Sequence, residues 1–332
     1  MHPGAAEVCD GVDNDCNGTA DDGPSLACAL GSAPSSCTTS CGTSGTRSCT
    51  ASCTFGLCVA GTETCGNGCD DDGDGMIDEG CVTVPPNDAC SGAIALSSTG
   101  TRSDTLVSAT AQASDCGTGV EVFYSVTVSA PSIVYLSTLG GASFDTRISY
   151  RGTSCPGASS QCVDDSCGSV QTHLAQLVTS GTHYFAVHTF SSFTTPGAFT
   201  LRYGVYPAAG QDNVLLTLGA AGSTSTQPGS TASGTSRVDG SCAGGSGPED
   251  SFYWLQCPSD TRSYAANTCT GTSHDSQLMM RFNGAEIGCN DDSCGVQSSL
   301  TSSSASGAGL VQLFVDGYSS GSYGSYSVAI RF

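Results

Sequence analysis

The chain contains no lysine. Its nine basic residues are all arginine, set against 30 acidic ones, for a formal net charge of −21 over 332 residues. Nucleic acids and anionic membranes both require a cationic face, so this balance argues against either as a partner. Charged residues make up only 12% of the sequence and no segment sustains a 3.6-residue apolar period, so long amphipathic helices are not expected. No apolar run is long enough to span a membrane as a helix. Met1-His2-Pro3-Gly4 lacks the apolar stretch of a secretory leader, and the chain is expected to be a mature form or one shortened upstream. Paired Cys-x-x-Cys knuckles, the usual zinc arrangement, are also missing.

What is present is glycine (44 residues), abundant serine and threonine, and 21 cysteines. The first three favour short strands and tight turns. That much cysteine points to an oxidising, extracellular compartment. The odd count leaves at least one thiol free, bridged between chains, or modified.

Acidic residues concentrate in two loops. In Cys69–Cys81, counting Asp70 as position 1, carboxylates fall at 1, 3, 5 and 9 (Asp70, Asp72, Asp74, Asp78) and Gly75 at 6. Oxygen donors on alternate residues can converge on one calcium ion, and glycine at 6 permits the sharp turn between them. Position 12 is Cys81 rather than the bidentate glutamate of a full EF-hand, so a short cysteine-stapled calcium loop is the closer pattern. A solvated acidic turn is the alternative, but six acidic residues within ten positions repel one another unless a cation gathers them. Asp13, Asp15, Asn17, Gly18 and Asp21 repeat the spacing, with Asp22 matching Glu79. Asn17-Gly18-Thr19 is also a glycosylation sequon, although position 5 of such a loop favours the ligand role.

The segment Pro3 to Gly18, with its Glu-Val-Cys-Asp-Gly-Val-Asp-Asn-Asp-Cys-Asn-Gly core, resembles the MopE-type metal-binding motif of bacterial secreted and surface proteins. Glu63 to Gly75 resembles a variant second copy. The resemblance implies metal binding over the first quarter of the chain. Some members of that family are associated with copper, which wants imidazole ligands, and only His2 lies nearby; Ca2+ is the expected ion.

Residues 1–82 hold 11 cysteines and almost no bulky apolar side chains, so disulfides and bound cations must replace a hydrocarbon core. A cysteine shift between the loops suggests local bridges Cys9–Cys16 and Cys65–Cys69, although connectivity stays open. Val82 to Asp88 reads as a stiff linker. Beyond it the texture changes to alternating strands: Val122–Val128, Ile133–Leu139, Thr146–Arg151, Leu174–Val178, Tyr184–Val187 and Phe199–Tyr206. They outline a β-sandwich over 86–207. Phe123-Tyr124, Asp145-Thr146, Cys162-Val-Asp-Asp-Ser-Cys167 and Gly197-Ala-Phe-Thr-Leu201 recur about 127 residues later, which makes 208–332 a second, like domain. Pro207–Asp212 is the expected linker and Ser223–Ser236 an expected loop. The fold class is therefore mostly β, a disulfide-rich calcium-loop head followed by two tandem sandwiches. The motif order in the second copy, through Asp316-Gly317-Tyr318 and Gly324-Ser-Tyr-Ser-Val328, resembles bacterial pre-peptidase C-terminal domains, which implies a jelly-roll-like sandwich appended to a secreted protein.

In each sandwich a Cys-x-Asp-Asp-Ser-Cys element is expected to close a small ring that orients Asp164 and Asp165, or Asp291 and Asp292. With Asp145 or Asp275 beside them, each sandwich could hold a cation, with Glu121 or Glu249 and Asp250 as further donors. Capping of turns by these side chains is the alternative. The five histidines form no metalloprotease motif, no Gly-x-Ser-x-Gly elbow sits on a strand-to-helix turn, and no segment builds a two-carboxylate glycosidase cleft. Trp254 and Tyr326 suit a core, and Tyr318 and Tyr323 a surface contact. The expected function is that of a secreted, non-enzymatic structural or adhesive protein of a cell surface or matrix. It would associate with other surface components or with itself into filaments, the last strand (Tyr326–Phe332) offering an edge. A targeting module of a secreted hydrolase and a copper-binding surface protein are the alternatives.

Overall fold

The computed structural model describes residues 1–63, 65, 68–73, 76–77, 84–112, 115–232, 234–242 and 247–332. Two compact units result, Met1–Thr83 and Val84–Phe332, the second containing both sandwiches. The fold is nearly all β; a 3-10 turn, Cys90–Gly92, is the only helical element among the described residues.

In the first unit the shortage of apolar side chains has its expected effect. The half-cystine Cys53 is the only apolar side chain buried among its described residues. Order comes from one short hairpin, β1 (Ser35–Thr38) with β2 (Ser44–Arg47), and from cross-links. The bridges are Cys9–Cys53, Cys28–Cys49, Cys37–Cys58 and Cys41–Cys69. The local bridges expected from sequence are not made. Cys9 and Cys69 reach across 44 and 28 residues, and Cys16 is a free, exposed thiol. Long links join segments that have no hydrocarbon between them, and they restrict the unfolded chain more than adjacent ones would.

The first sandwich comprises β3 (Ile94–Ala95), β4 (Thr99–Thr105), β5 (Glu121–Val128), β6 (Ser132–Ser137), β7 (Thr146–Gly152), β8 (Gln161–Val163), β9 (His173–Val178), β10 (Gly181–Thr189) and β11 (Ala198–Pro207). One sheet has the order β3-β5-β10-β7-β8 and the other β4-β11-β6-β9. Their facing sides interdigitate Val122, Tyr124, Val126, Leu136, Ile148, Phe185, Val187 and Leu201. The period-2 alternation read in β5 is thus the inward face of that strand.

The second sandwich follows with β12 (Asn213–Leu215), β13 (Thr224–Ser230), β14 (Glu249–Gln256), β15 (Thr261–Arg262), β16 (Ala265–Asn267), β17 (Ser276–Phe282), β18 (Ala285–Asn290), β19 (Ser299–Thr301), β20 (Ala305–Ser306), β21 (Gly309–Gly317) and β22 (Ser325–Arg331). Its sheets run β12-β14-β21-β17-β18 and β13-β22-β16-β19, with β15 and β20 paired outside them. Strand for strand this is the first sandwich again, so the duplication extends to topology. Trp254 sits fully buried between Tyr264 and Phe332, edge-to-face with both.

Two expectations are corrected here. Ser223–Ser236 is not all loop, because Thr224–Ser230 within it pairs residue for residue with β22. Its small polar side chains and Pro228 hide a strand that, at a sheet edge, needs ladder bonds on one side only. The terminal strand is in turn not an edge, since β13 flanks β22 on one side and β16 on the other. Its backbone groups are therefore unavailable to a neighbouring chain.

The linker between the sandwiches is not a free tether. Ala208 is buried with Ile133, Tyr135, Tyr206, Tyr253 and Leu310, which come from both copies. Gln312 Nε2 donates to Pro207 O at 3.0 Å, and Cys167–Cys257 joins the two copies covalently.

Candidate metal centres

The first acidic loop folds around Glu7. Its Oε1 accepts the N–H groups of Asn14 (2.8 Å) and Asp15 (2.9 Å), and its Oε2 accepts that of Asp21 (2.8 Å). This brings Glu7, Asp15 and Asp22 together, with one carboxylate oxygen from each lying within 4.8 Å of the others. Asn17 joins them through Nδ2, which donates to Asp22. The other two predicted ligands are used differently. Asp13 accepts the N–H of Gly18 at 2.8 Å and of Asn17 at 3.1 Å, and these bonds, Gly18's foremost, hold its carboxyl below the usual range. Asp21 is buried and fastens the loop to its surroundings by accepting N–H groups from Leu30, Asp10 and Gly11. The Leu30 bond is the main cause of its lowered carboxyl pKa.

The second loop repeats the plan. Glu63 Oε1 accepts the N–H groups of Asp71 and Asp72, both at 2.9 Å, and Glu63, Asp70 and Asp72 converge within 4.8 Å. Asp71, buried, accepts from the hydroxyls of Thr39 and Thr43 and so docks the loop on the β1–β2 turn beside Cys41–Cys69. Gly73 takes φ +79°, and a Cβ there would meet Val59 Cγ1 at 2.6 Å. Asp74 and Asp78 lie outside the described residues. Glu7 and Glu63 were missed as site residues in the sequence, yet the signal was present: each stands two residues before a cysteine, Glu-x-Cys, in both copies.

In the sandwiches, Asp145, Asp164 and Asp165 form one cluster and Asp275, Asp291 and Asp292 another, each with oxygens within 4.8 Å. The small rings expected to orient them do not exist. Cys162 pairs with Cys116 and Cys167 with Cys257, while Cys289 pairs with Cys242 and Cys294 with Cys269. The register of the strands brings the carboxylates together instead, and the bridges fasten the flanking turns to other segments. Burial, then the charges of Asp164 and Asp165, raise the Asp145 carboxyl above its ordinary value. Asp275 is raised by burial and Asp292, and Asp291 by burial, Asp292 and Asp275. Asp145 Oδ1, Asp164 Oδ1, Asp275 Oδ1 and Asp291 Oδ1 are buried without hydrogen-bond partners. In the first cluster Arg147 Nη2 donates to Asp164 at 2.9 Å; the corresponding residue of the second is Gln277.

The further donors considered above go elsewhere. Glu249 accepts N–H groups from Arg237 and Val238, and Asp250 accepts the Tyr326 hydroxyl at 2.8 Å. Glu121 Oε1 accepts the Gln112 N–H. His183 is buried against the Tyr150 hydroxyl and Thr179 O, and His188 against Ser149 Oγ at 2.7 Å. Tyr318 and Tyr323 are exposed.

Every donor in the four clusters is a carboxylate oxygen, a set that suits a hard cation such as Ca2+ and offers copper no imidazole. His2, exposed, places Nδ1 3.1 Å from its neighbour's Pro3 O.

Residues 1–22 and 60–79 match the MopE copper-binding family, described as a "Putative metal-binding motif". A comparison with curated proteins finds no match. Among solved structures, the CUB1-EGF-CUB2 domains of rat MASP-1 align with 72% of this chain and 100% of theirs, at 9% identity and a TM-score of 0.21. Tripeptidyl peptidase 2 aligns with 72% of this chain and 24% of its own, at 13% identity and a TM-score of 0.21. The chain is thus a disulfide-rich β protein with a metal-binding motif, of the kind found outside cells, and no described helix is long and apolar enough to cross a membrane.

Proposed function

We propose that this is a secreted, non-enzymatic structural or adhesive protein in which calcium holds the N-terminal unit together. The observation that carries the reading is the repeated constellation in that unit. Two loops of different sequence place a glutamate and two aspartates within 4.8 Å, each glutamate bridging two successive N–H groups. Like charges so close resist folding unless a cation offsets them, and the described residues of this unit form no hydrocarbon core to oppose the repulsion. The buried histidines and the all-oxygen clusters support a structural rather than a catalytic role. The partner class is other cell-surface material. Self-assembly into filaments would use a surface other than β22.

The test is metal analysis of the native protein together with thermal unfolding with and without chelator. Calcium should be found, and chelation should lower the melting of the N-terminal unit well before that of the sandwiches. Copper in place of calcium would favour the copper-binding reading, and a chelator-insensitive profile would sink the proposal.

A further inference from the structure

On the outer face of the larger sheet, three residues stand side by side in each sandwich. In the first they are Arg147 on β7, His188 on β10 and Glu121 on β5, His188 being the direct cross-strand partner of both others. In the second the corresponding positions are Gln277, Asp316 and Glu249, with Asp316 the direct partner of both. Direct partners share a face, with Cβ atoms about 5 Å apart.

The first row is balanced. Arg147 donates to Asp164 and to Cys116 O, and His188 lies between Ser149 Oγ and Glu121, with Nδ1 3.7 Å from Oε2. The second row has exchanged both basic groups for acceptors. Asp316 is 2% exposed and neither of its oxygens has a hydrogen-bond partner; Gln277, 1% exposed, has an unpartnered Oε1. The Gln277 amide nitrogen is turned away, 3.1 Å from Cys242 Sγ. Glu249, fully buried, takes the N–H groups of Arg237 and Val238, and the charge of Asp239 adds to the acidic surroundings. Burial, reinforced by Glu249, pushes the Asp316 carboxyl up to about 8, a measure of how unfavourable a bare charge is here. Three buried acceptors without donors are costly, and a native fold leaves few of them.

We propose that the Gln277–Asp316–Glu249 row binds a hard divalent cation, supplying to the second sandwich the positive charge that Arg147 supplies to the first. Two carboxylates and an amide oxygen match calcium in charge and donor type. The site is separate from the loops of the N-terminal unit and from the Asp275–Asp291–Asp292 cluster, and it does not rest on either.

Equilibrium dialysis of the full chain against radiolabelled calcium tests it, with Asp316→Asn and Asp292→Asn as single variants and as a pair. Asp316→Asn should bind one ion fewer per chain than the parent, and the pair should bind fewer than either single variant. If Asp316→Asn fails to fold, Gln277→Arg/Asp316→His, which imports the first sandwich's groups, replaces it. That variant should fold, also bind one ion fewer, and lose calcium dependence in the melting of its second sandwich. An equal ion count in parent and variants overturns the proposal, whether a shared proton or the nearby Arg237 guanidinium, whose Nη1 is buried and unpartnered, then satisfies the row. A failure of the head loops to bind calcium lowers all counts together and leaves these differences intact.

Discussion

Glu7 both folds its loop, through three accepted N–H groups, and contributes an oxygen to the acidic cluster. Glu7→Gln should therefore weaken calcium binding at that loop by about tenfold, since one of three carboxylates loses its charge. Asp21→Asn should lower the melting temperature with little change in calcium titration, because Asp21 serves backbone N–H groups. Calorimetric titration and thermal melts of the two variants separate these roles. Spacing singled out Asp15, Asp70 and Asp72, which the fold gathers into acidic clusters. It could not distinguish Asp13 or Asp21 from them, because a carboxylate that caps a turn and one that joins a cluster occupy the same alternating positions. A second residue-scale expectation concerns His173, 6% exposed, whose imidazole burial lowers to about 4. An unfolded histidine titrates near ~6.5, so the folded state binds fewer protons between these values. Stability should be full above about pH 6.5 and fall as pH drops toward 4, by on the order of 3 kcal/mol for this group. His173→Gln should flatten that part of a stability-versus-pH curve measured by denaturant titration; an unaltered curve would count against it.

At the scale of elements, the strands with alternating apolar residues were legible, and β5, β7 and β11 lie within a residue or two of the expected bounds. β13 was not, because a strand of Thr, Ser, Gln, Pro and Gly leaves no hydrophobic period to read and is specified by its partner β22. The consequence falls on β22 and the residue after it, where Val328, Ile330 and Phe332 are buried in the core with Trp254. Each contributes roughly 1.5–3 kcal/mol of burial, against a typical domain stability of about 5–15 kcal/mol. Removal of Val328–Phe332 should thus unfold the second sandwich, seen as loss of the buried Trp254 fluorescence signature, rather than alter the state of association.

For the molecule as a whole, the oxidising compartment was legible in the number of cysteines, and the pairing was not. Twenty-one cysteines admit very many connectivities, and the choice among them depends on which segments the fold brings within about 6 Å. Cys16 is the free thiol among the described residues and is exposed. A thiol reagent applied to the native, unreduced protein should modify Cys16, and Cys16→Ser should abolish that labelling; several reactive thiols would contradict the bridges described here.

Cys167–Cys257 closes a span of 90 residues that contains β9 to β11, the linker and β12 to β14. A chain pulled from its two ends lengthens by up to about 3.3–3.6 Å for every residue set free. With that span tied off, roughly 300 Å of slack is withheld from any load. Tension crossing from one sandwich to the other is then borne by a sulfur–sulfur bond and not by the packing around Ala208, which makes the junction between them a nearly inextensible link for as long as its surroundings stay oxidising.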